Sequence, residues 1–244
     1  MKVRITGNSE YGNHIKALIC GDAGQGKTLI SSTFANPVYA SAESGLMSIA
    51  DRSVPYVDIK NSSELQQMKA ALDQSPATLE KIFGTQIETV VIDTIDEIQR
   101  MLVRERLESE KKDKLSLPDF GWLSGQLEGI IRGFRNLPMN VVFTCHLKET
   151  RDDDLGRIVY KPQLQGSIAD QISGMVDLAL LLTTRTVNEI VDGSNRRTIK
   201  RFIQTFPDAQ HPWVKDRSGK LPQEFPVNFV DDFDRMHKII YGGK

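Results

Sequence analysis

The sequence predicts an α/β fold: a mostly parallel central sheet flanked by helices, with an antiparallel hairpin towards the C-terminus. Three observations predict it. The glycine-rich loop Gly21-Asp22-Ala23-Gly24-Gln25-Gly26-Lys27-Thr28 sits between a short apolar run and a segment able to open a helix. Further apolar runs at 88–93 and 141–146 alternate with stretches of helical periodicity, which is the pattern of strands joined by crossover helices. Two alternating runs, 186–191 and 197–203, flank Asp192-Gly193-Ser194-Asn195, a hairpin signal.

Taken in order, residues 1–13 are polar and glycine-bearing, a loosely attached lead-in to a single domain over 14–244. Ile15-Lys16-Ala17-Leu18-Ile19-Cys20 reads as a short buried strand, and residues 29–34 as the start of a helix. Pro37-Val38-Tyr39-Ala40-Ser41-Ala42-Glu43 is a β-rich run ending in a carboxylate, and 55–59 is another short strand. Ser62 or Ser63 can cap a helix over 64–73, where Leu65, Met68 and Leu72 keep helical spacing.

Residues 88–93 form a strand ending in Asp93, followed by a helix over 94–110 with Ile95, Ile98, Leu102 and Leu107 on its apolar face. Lys111-Lys112-Asp113-Lys114 is its charged exit, and Pro118 marks a break before a helix over 123–137. Residues 141–146 give a third strand, ending in His146, and 147–166 read as a long polar loop. After a strand at 176–183 and the hairpin, residues 213–216 and 225–230 can add edge strands, and 231–241 a closing helix.

Composition bounds the function classes. With 39% hydrophobic and 26% charged residues in 244, the chain has the make-up of a globular domain. No apolar run reaches the length of a membrane span, and the N-terminus lacks the apolar stretch of a signal peptide. Cys20 and Cys145 both fall in expected central strands, so free buried thiols and a cytoplasmic location are expected. The net charge of −1 gives no general attraction to nucleic acid, so any such contact must come from local basic loops. Four scattered histidines and no C-x-x-C pair leave metal-enzyme and nucleophile-triad chemistry without support.

The glycine-rich loop matches G-x-x-x-x-G-K-[ST], in which backbone N–H groups curl around phosphate oxygens. Gly21, Asp22, Ala23, Gly24, Gln25, Gly26, Lys27, Thr28 and Leu29 are the expected nucleotide contacts. Lys27 is expected to reach the β- and γ-phosphates of ATP, and the Thr28 hydroxyl to hold Mg²⁺. Asp93, at the end of its strand, is expected beside the loop as the second Mg²⁺ group.

Hydrolysis also needs a group to orient or deprotonate water. Thr94, not Glu, follows Asp93, so Glu43 is the expected choice, with Asp96 and Glu97 in reserve. His146 ends the strand expected beside that of Asp93, where it can sense the γ-phosphate or serve as a hydrogen-bonded structural residue.

Glu43, the Asp93-Thr94 pair and the His-terminated strand together resemble RecA-like ATPases rather than the AAA+ or GTPase branches. More closely, GDAGQGKT, Ala42-Glu43-Ser44-Gly45-Leu46, VVIDT, FTCH, Leu164-Gln165-Gly166 and Met175-Val176-Asp177 resemble phage RecA-like ATPases of the Sak single-strand-annealing type. That resemblance runs from about Lys16 to Gly219. It implies self-association into a ring or filament whose axis is lined by two DNA-facing loops. By position these carry Lys111, Lys112 and Lys114, and Arg151, Arg157 and Lys161.

Against that, Asp152-Asp153-Asp154 lies inside the second loop, and Tyr160 is its one aromatic residue. Lys215-Asp216-Arg217 resembles the Lys-x-Arg pattern that RecA-like ring helicases present to a neighbour's nucleotide; an exposed basic turn is the plainer alternative. The expected task is single-stranded DNA binding and annealing in phage recombination, in the host cytoplasm, with a single-strand-binding protein as an allowed further partner. Rival readings are a helicase-like motor or loader, and a nucleotide-gated regulatory module without DNA binding.

Overall fold

The computed structural model describes residues 14–152, 156–191 and 194–242. The expected lead-in, the acids Asp153 and Asp154, and the Asp192-Gly193 turn lie outside the described residues.

The strands are β1 (Lys16–Cys20), β2 (Pro37–Ser41), β3 (Tyr56–Asp58), β4 (Thr89–Asp93), β5 (Asn140–Cys145), β6 (Leu147–Asp152), β7 (Arg157–Pro162), β8 (Leu178–Val191), β9 (Ser194–Gln204), β10 (Lys215–Asp216) and β11 (Glu224–Pro226). The helices are α1 (Lys27–Ser31), α2 (Ser62–Leu72), α3 (Pro76–Phe83), α4 (Ile95–Glu110), α5 (Leu117–Arg135), α6 (Ile168–Met175) and α7 (Asp232–Tyr241), with a 3₁₀ helix at Leu46–Arg52.

Nine strands form one sheet in the order β11-β9-β8-β1-β5-β4-β2-β3, with β10 also pairing β8. The pairs from β3 across to β8 are parallel, and β9 and β11 continue the sheet antiparallel. Strands β1, β4 and β5 read as unbroken apolar runs because both of their faces are covered. Alternate residues feed two cores. Leu18, Ile92 and Phe143 pack with Leu65, Leu102, Leu127 and Ile131 on one face. Ile19, Val91 and Val142 pack with Ile30, Phe34, Phe233 and Met236 on the other. Each such side chain contributes roughly 1.5–3 kcal/mol by leaving water.

This order sets β5 between β1 and β4, so the strand ends carrying Gly21, His146 and Asp93 are neighbours. Cys20 is in register with Cys145, and Ser41 with Asp93. Both cysteines are free and buried.

Several elements differ from expectation. The expected loop 147–166 contains the β6–β7 hairpin, whose strands pair from Leu147↔Pro162 to Asp152↔Arg157. Its polar sequence hides it, because it is pinned by backbone contacts: Tyr160 N–H donates to the Gln210 carbonyl, and Trp213 Nε1–H to the Tyr160 carbonyl. The two strands expected at 176–183 and 186–191 are one strand, β8.

Pro118 opens α5 instead of breaking the chain, since its missing N–H falls where a helix start has no partner. Asp119 accepts from the Ser116 N–H at 2.9 Å there. The cap of α2 is Asn61, which accepts from the Glu64 N–H, not Ser62 or Ser63. Helix α1 is confined to five residues.

Candidate functional site

The loop after β1 is shaped by its glycines. A Cβ on Gly21 would stand 2.7 Å from the Leu182 carbonyl oxygen, a distance no side chain tolerates. Gly26 has φ 100°, a backbone region that L side chains rarely adopt. Lys27 is buried, and its Nζ donates to the carbonyls of Gly21 at 2.9 Å and Asp22 at 3.0 Å. Burial lowers its pKa, while the carboxylates of Glu43, Asp96 and Asp93 oppose that shift. The ammonium therefore lies folded across the mouth of the loop, where a phosphate oxygen competes for the same donors.

The Thr28 hydroxyl donates to Asp93 Oδ2 at 2.8 Å, so the first turn of α1 meets the end of β4. Thr144 Oγ1 donates to Asp93 Oδ1, fixing the carboxylate from the β5 side. The Ser41 hydroxyl, in register with Asp93, is buried and has no hydrogen-bond partner. These hard oxygen donors, with that orphaned hydroxyl beside them, fit Mg²⁺. Among the described residues no group of three His, Cys, Asp or Glu could hold a metal ion. A cation held by Thr28 and Asp93 would take its other ligands from phosphate and water.

Glu43 follows β2 and is anchored by its own backbone, Glu43 N–H donating to the Asp93 carbonyl at 3.3 Å. Its carboxylate lies 3.9 Å from His146 Nε2, and the opposite ring nitrogen, Nδ1, is 2.9 Å from Asp96 Oδ2. Asp96 Oδ1 also accepts from the His146 N–H at 3.1 Å. Burial raises the Glu43 pKa, partly countered by the imidazole. The Asp96 hydrogen bond raises that of His146. Burial acts to raise Asp96 itself, but the bonds from His146 outweigh it and hold the carboxyl below its usual value. The result is a row, Glu43–His146–Asp96, running from the phosphate side into the core.

A sequence profile of the AAA domain matches residues 13–218. The chain belongs to the AAA domain family. Nucleotide binding and ATPase-type chemistry go with that family, and the loop, Thr28 and Asp93 supply the parts. The search of curated proteins finds no match to the chain.

In this AAA domain the structure gives Asp96 a place that the sequence left open. Held in reserve as a water-orienting group, it is fully buried with both oxygens bonded to His146. Glu97, the other reserve, pairs with Arg100. Thr144 was missed, although a hydroxyl one residue before His146, at the end of an apolar strand, is a usable signal. Arg201 and Phe229 were missed too. The Arg201 Nε–H donates to the Gln25 carbonyl at 2.8 Å, and Phe229 lies against Gly26.

Lys215 and Arg217 are not brought to the loop of their own chain. They lie on and just beyond β10, which pairs with the first residues of β8. Arg217 is ion-paired with Asp177 at 2.8 Å and donates to the Gly174 carbonyl. The Lys16 N–H donates to the same Asp177, at the far end of β1. Five strand residues at ~3.3 Å each place that end about 16 Å from Gly21. Burial lowers the Lys215 pKa, and the neighbouring Arg217 adds to the shift.

Of the basic groups expected to face DNA, Lys112 pairs with Glu110 at 3.3 Å and Asp119 at 3.4 Å. Lys161 pairs with Asp170 at 2.7 Å, and Arg157 lies 4.0 Å from Asp152. Lys111, Lys114 and Arg151 are exposed. Among the described residues no helix is long and apolar enough to cross a membrane.

Proposed function

We propose that this AAA domain hydrolyses ATP with Mg²⁺ and couples the cycle to single-stranded DNA, as an annealing or pairing protein of the phage Sak type. The observation that carries the reading is the convergence of three strand ends on one loop: Thr28 on Asp93, with Glu43 beside His146. Gly21–Thr28 amides and the Lys27 ammonium bind the phosphates. Thr28 and Asp93 would hold Mg²⁺, which when bound neutralises charge on the phosphate oxygens. Glu43, whose carboxyl takes up a proton more readily than an ordinary Glu, orients water and accepts its proton.

His146 stands between Glu43 and Asp96, and β6 begins at the next residue. A change at the γ-phosphate is thereby passed to the hairpin carrying Arg151, Arg157 and Lys161. Lys111, Lys112 and Lys114 form the second DNA-facing stretch. Lys215 and Arg217 act on a neighbouring subunit's nucleotide within a ring or filament, once Arg217 leaves Asp177.

The test is ATP turnover with and without single-stranded DNA for wild type, Lys27→Ala and Glu43→Gln. The expected result is DNA-stimulated turnover lost in both variants, by at least about a hundredfold. An acid limb above the ordinary glutamate value of 4.5, absent in Glu43→Gln, is also expected. Turnover indifferent to DNA would favour the second reading, a nucleotide-gated regulatory module. The observation on its side is that Lys112, Arg157 and Lys161 already face carboxylates of their own chain.

A further inference from the structure

The phosphate loop has two flanks. Asp93, Thr144, His146 and Glu43 come from β4, β5 and the end of β2, all on one side of β1 in the sheet. On the other side lie β8, β9 and β11, and nothing in the phosphate chemistry uses them. Yet that side is wired to the loop with unusual care. From β9, Arg201 donates to the Gln25 carbonyl at 2.8 Å.

Three residues beyond β11, the Phe229 ring lies where a Cβ on Gly26 would meet it at 2.9 Å. The Arg201 guanidinium stands over that ring, 5.4 Å from its centroid. Phe229 is held at φ 62°, a backbone region disfavoured for a residue with a side chain. Asp232 accepts from its N–H at 2.7 Å, and Arg52 donates to its carbonyl. Both Phe229 and Arg201 are only half-buried.

We propose that Arg201 and Phe229 form the shelf on which the nucleobase of the bound nucleotide stacks. The proposal rests on the nucleotide reading above. The γ-phosphate end is fixed by the flank that carries Asp93, Glu43 and His146. The nucleoside therefore leaves the loop towards the opposite flank, past Gln25 and Gly26. There it meets a planar aromatic ring and a planar cation, the two surfaces that stack on a base face. The shelf accepts the base by its flat π-face rather than by its edges, since the Arg201 Nε–H is already committed to the loop. Anchoring the shelf to the loop backbone also sets its distance from the phosphates, so base and phosphates are read together.

Binding of Mg-ATP and of Mg-tripolyphosphate, which has the phosphates without a nucleoside, separates the shelf from the loop. Wild type is expected to bind ATP more tightly than tripolyphosphate. Phe229→Leu keeps an apolar side chain against Gly26 but removes the ring. It is expected to lose roughly ten- to a hundredfold in ATP affinity with tripolyphosphate unchanged. Phe229→Trp is expected to keep ATP binding. Equal losses for both ligands in Phe229→Leu, or no loss for either, would overturn the shelf and leave the ATPase reading standing. Wild type binding neither ligand would overturn both.

Discussion

Asp96, His146 and Glu43 form a row of titrating groups in which each neighbour sets the next one's charge. Their shifts make a pH-dependent contribution whose sign can be worked out. His146 is raised above 6.5, so its stabilising effect is fully present below that value and is lost as pH rises through the raised folded value. Asp96 is held below 3.8, so its effect is present above 3.8 and is lost as pH falls through the lowered value. The pair is strongest between those limits. In denaturant unfolding, His146→Gln is expected to cost about 2 kcal/mol near pH 5.5 and less near pH 9. An unchanged difference across that range would mean that pairing with Asp96 does not shift the titration of the imidazole. Lys27, Thr28 and Asp93 were legible from the sequence because their chemistry is local to a motif and a strand end. The burial of Asp96 was not, because Glu97 and Asp96 look alike in sequence until the strand carrying His146 is laid beside α4.

At the scale of elements, β1 shows how one strand sets both ends of the molecule. Its last residue precedes the phosphate loop, and its first, Lys16, is half-buried with its ammonium donating to the carbonyls of Leu137 and Met139. Burial pushes that ammonium down to about 8 from 10.5, Asp177 opposing the shift and Arg135 adding to it. Between those values the unfolded chain binds more protons than the folded one, so this group makes stability rise with pH across that window. Lys16→Met is expected to flatten the rise, as measured by urea midpoints at pH 7.5 and 10. Apolar strands and the long helices α4 and α5 were legible in the sequence from periodicity. The β6–β7 hairpin was not, because its backbone partners Gln210 and Trp213 lie about fifty residues away and leave no periodic trace.

At the scale of the whole molecule, the strand order puts Lys215 and Arg217 at the end of the sheet away from their own phosphate loop. If they act, they act on another copy. Mixing inactive Lys27→Ala with inactive Arg217→Ala is therefore expected to restore a measurable fraction of ATP turnover, because mixed neighbours contain one intact site. No recovery at any ratio, with mixed assemblies shown to form, would remove Arg217 from the reaction.

The sequence alone determined that a phosphate-loop motif spans Gly21–Thr28, that Asp93 ends a buried strand, and that strands and helices alternate into a parallel sheet. Those follow from local rules: glycine conformations, hydrophobic periodicity, and the residue types a metal or phosphate requires. Only the tertiary structure decided that Asp96 is bonded to His146, that Lys112, Arg157 and Lys161 face carboxylates of the same chain, and that Arg201 and Phe229 flank the loop. The reason is physical. Each depends on which strand lies next to which, and that order is fixed by the burial of two cores rather than by any residue's neighbours in sequence.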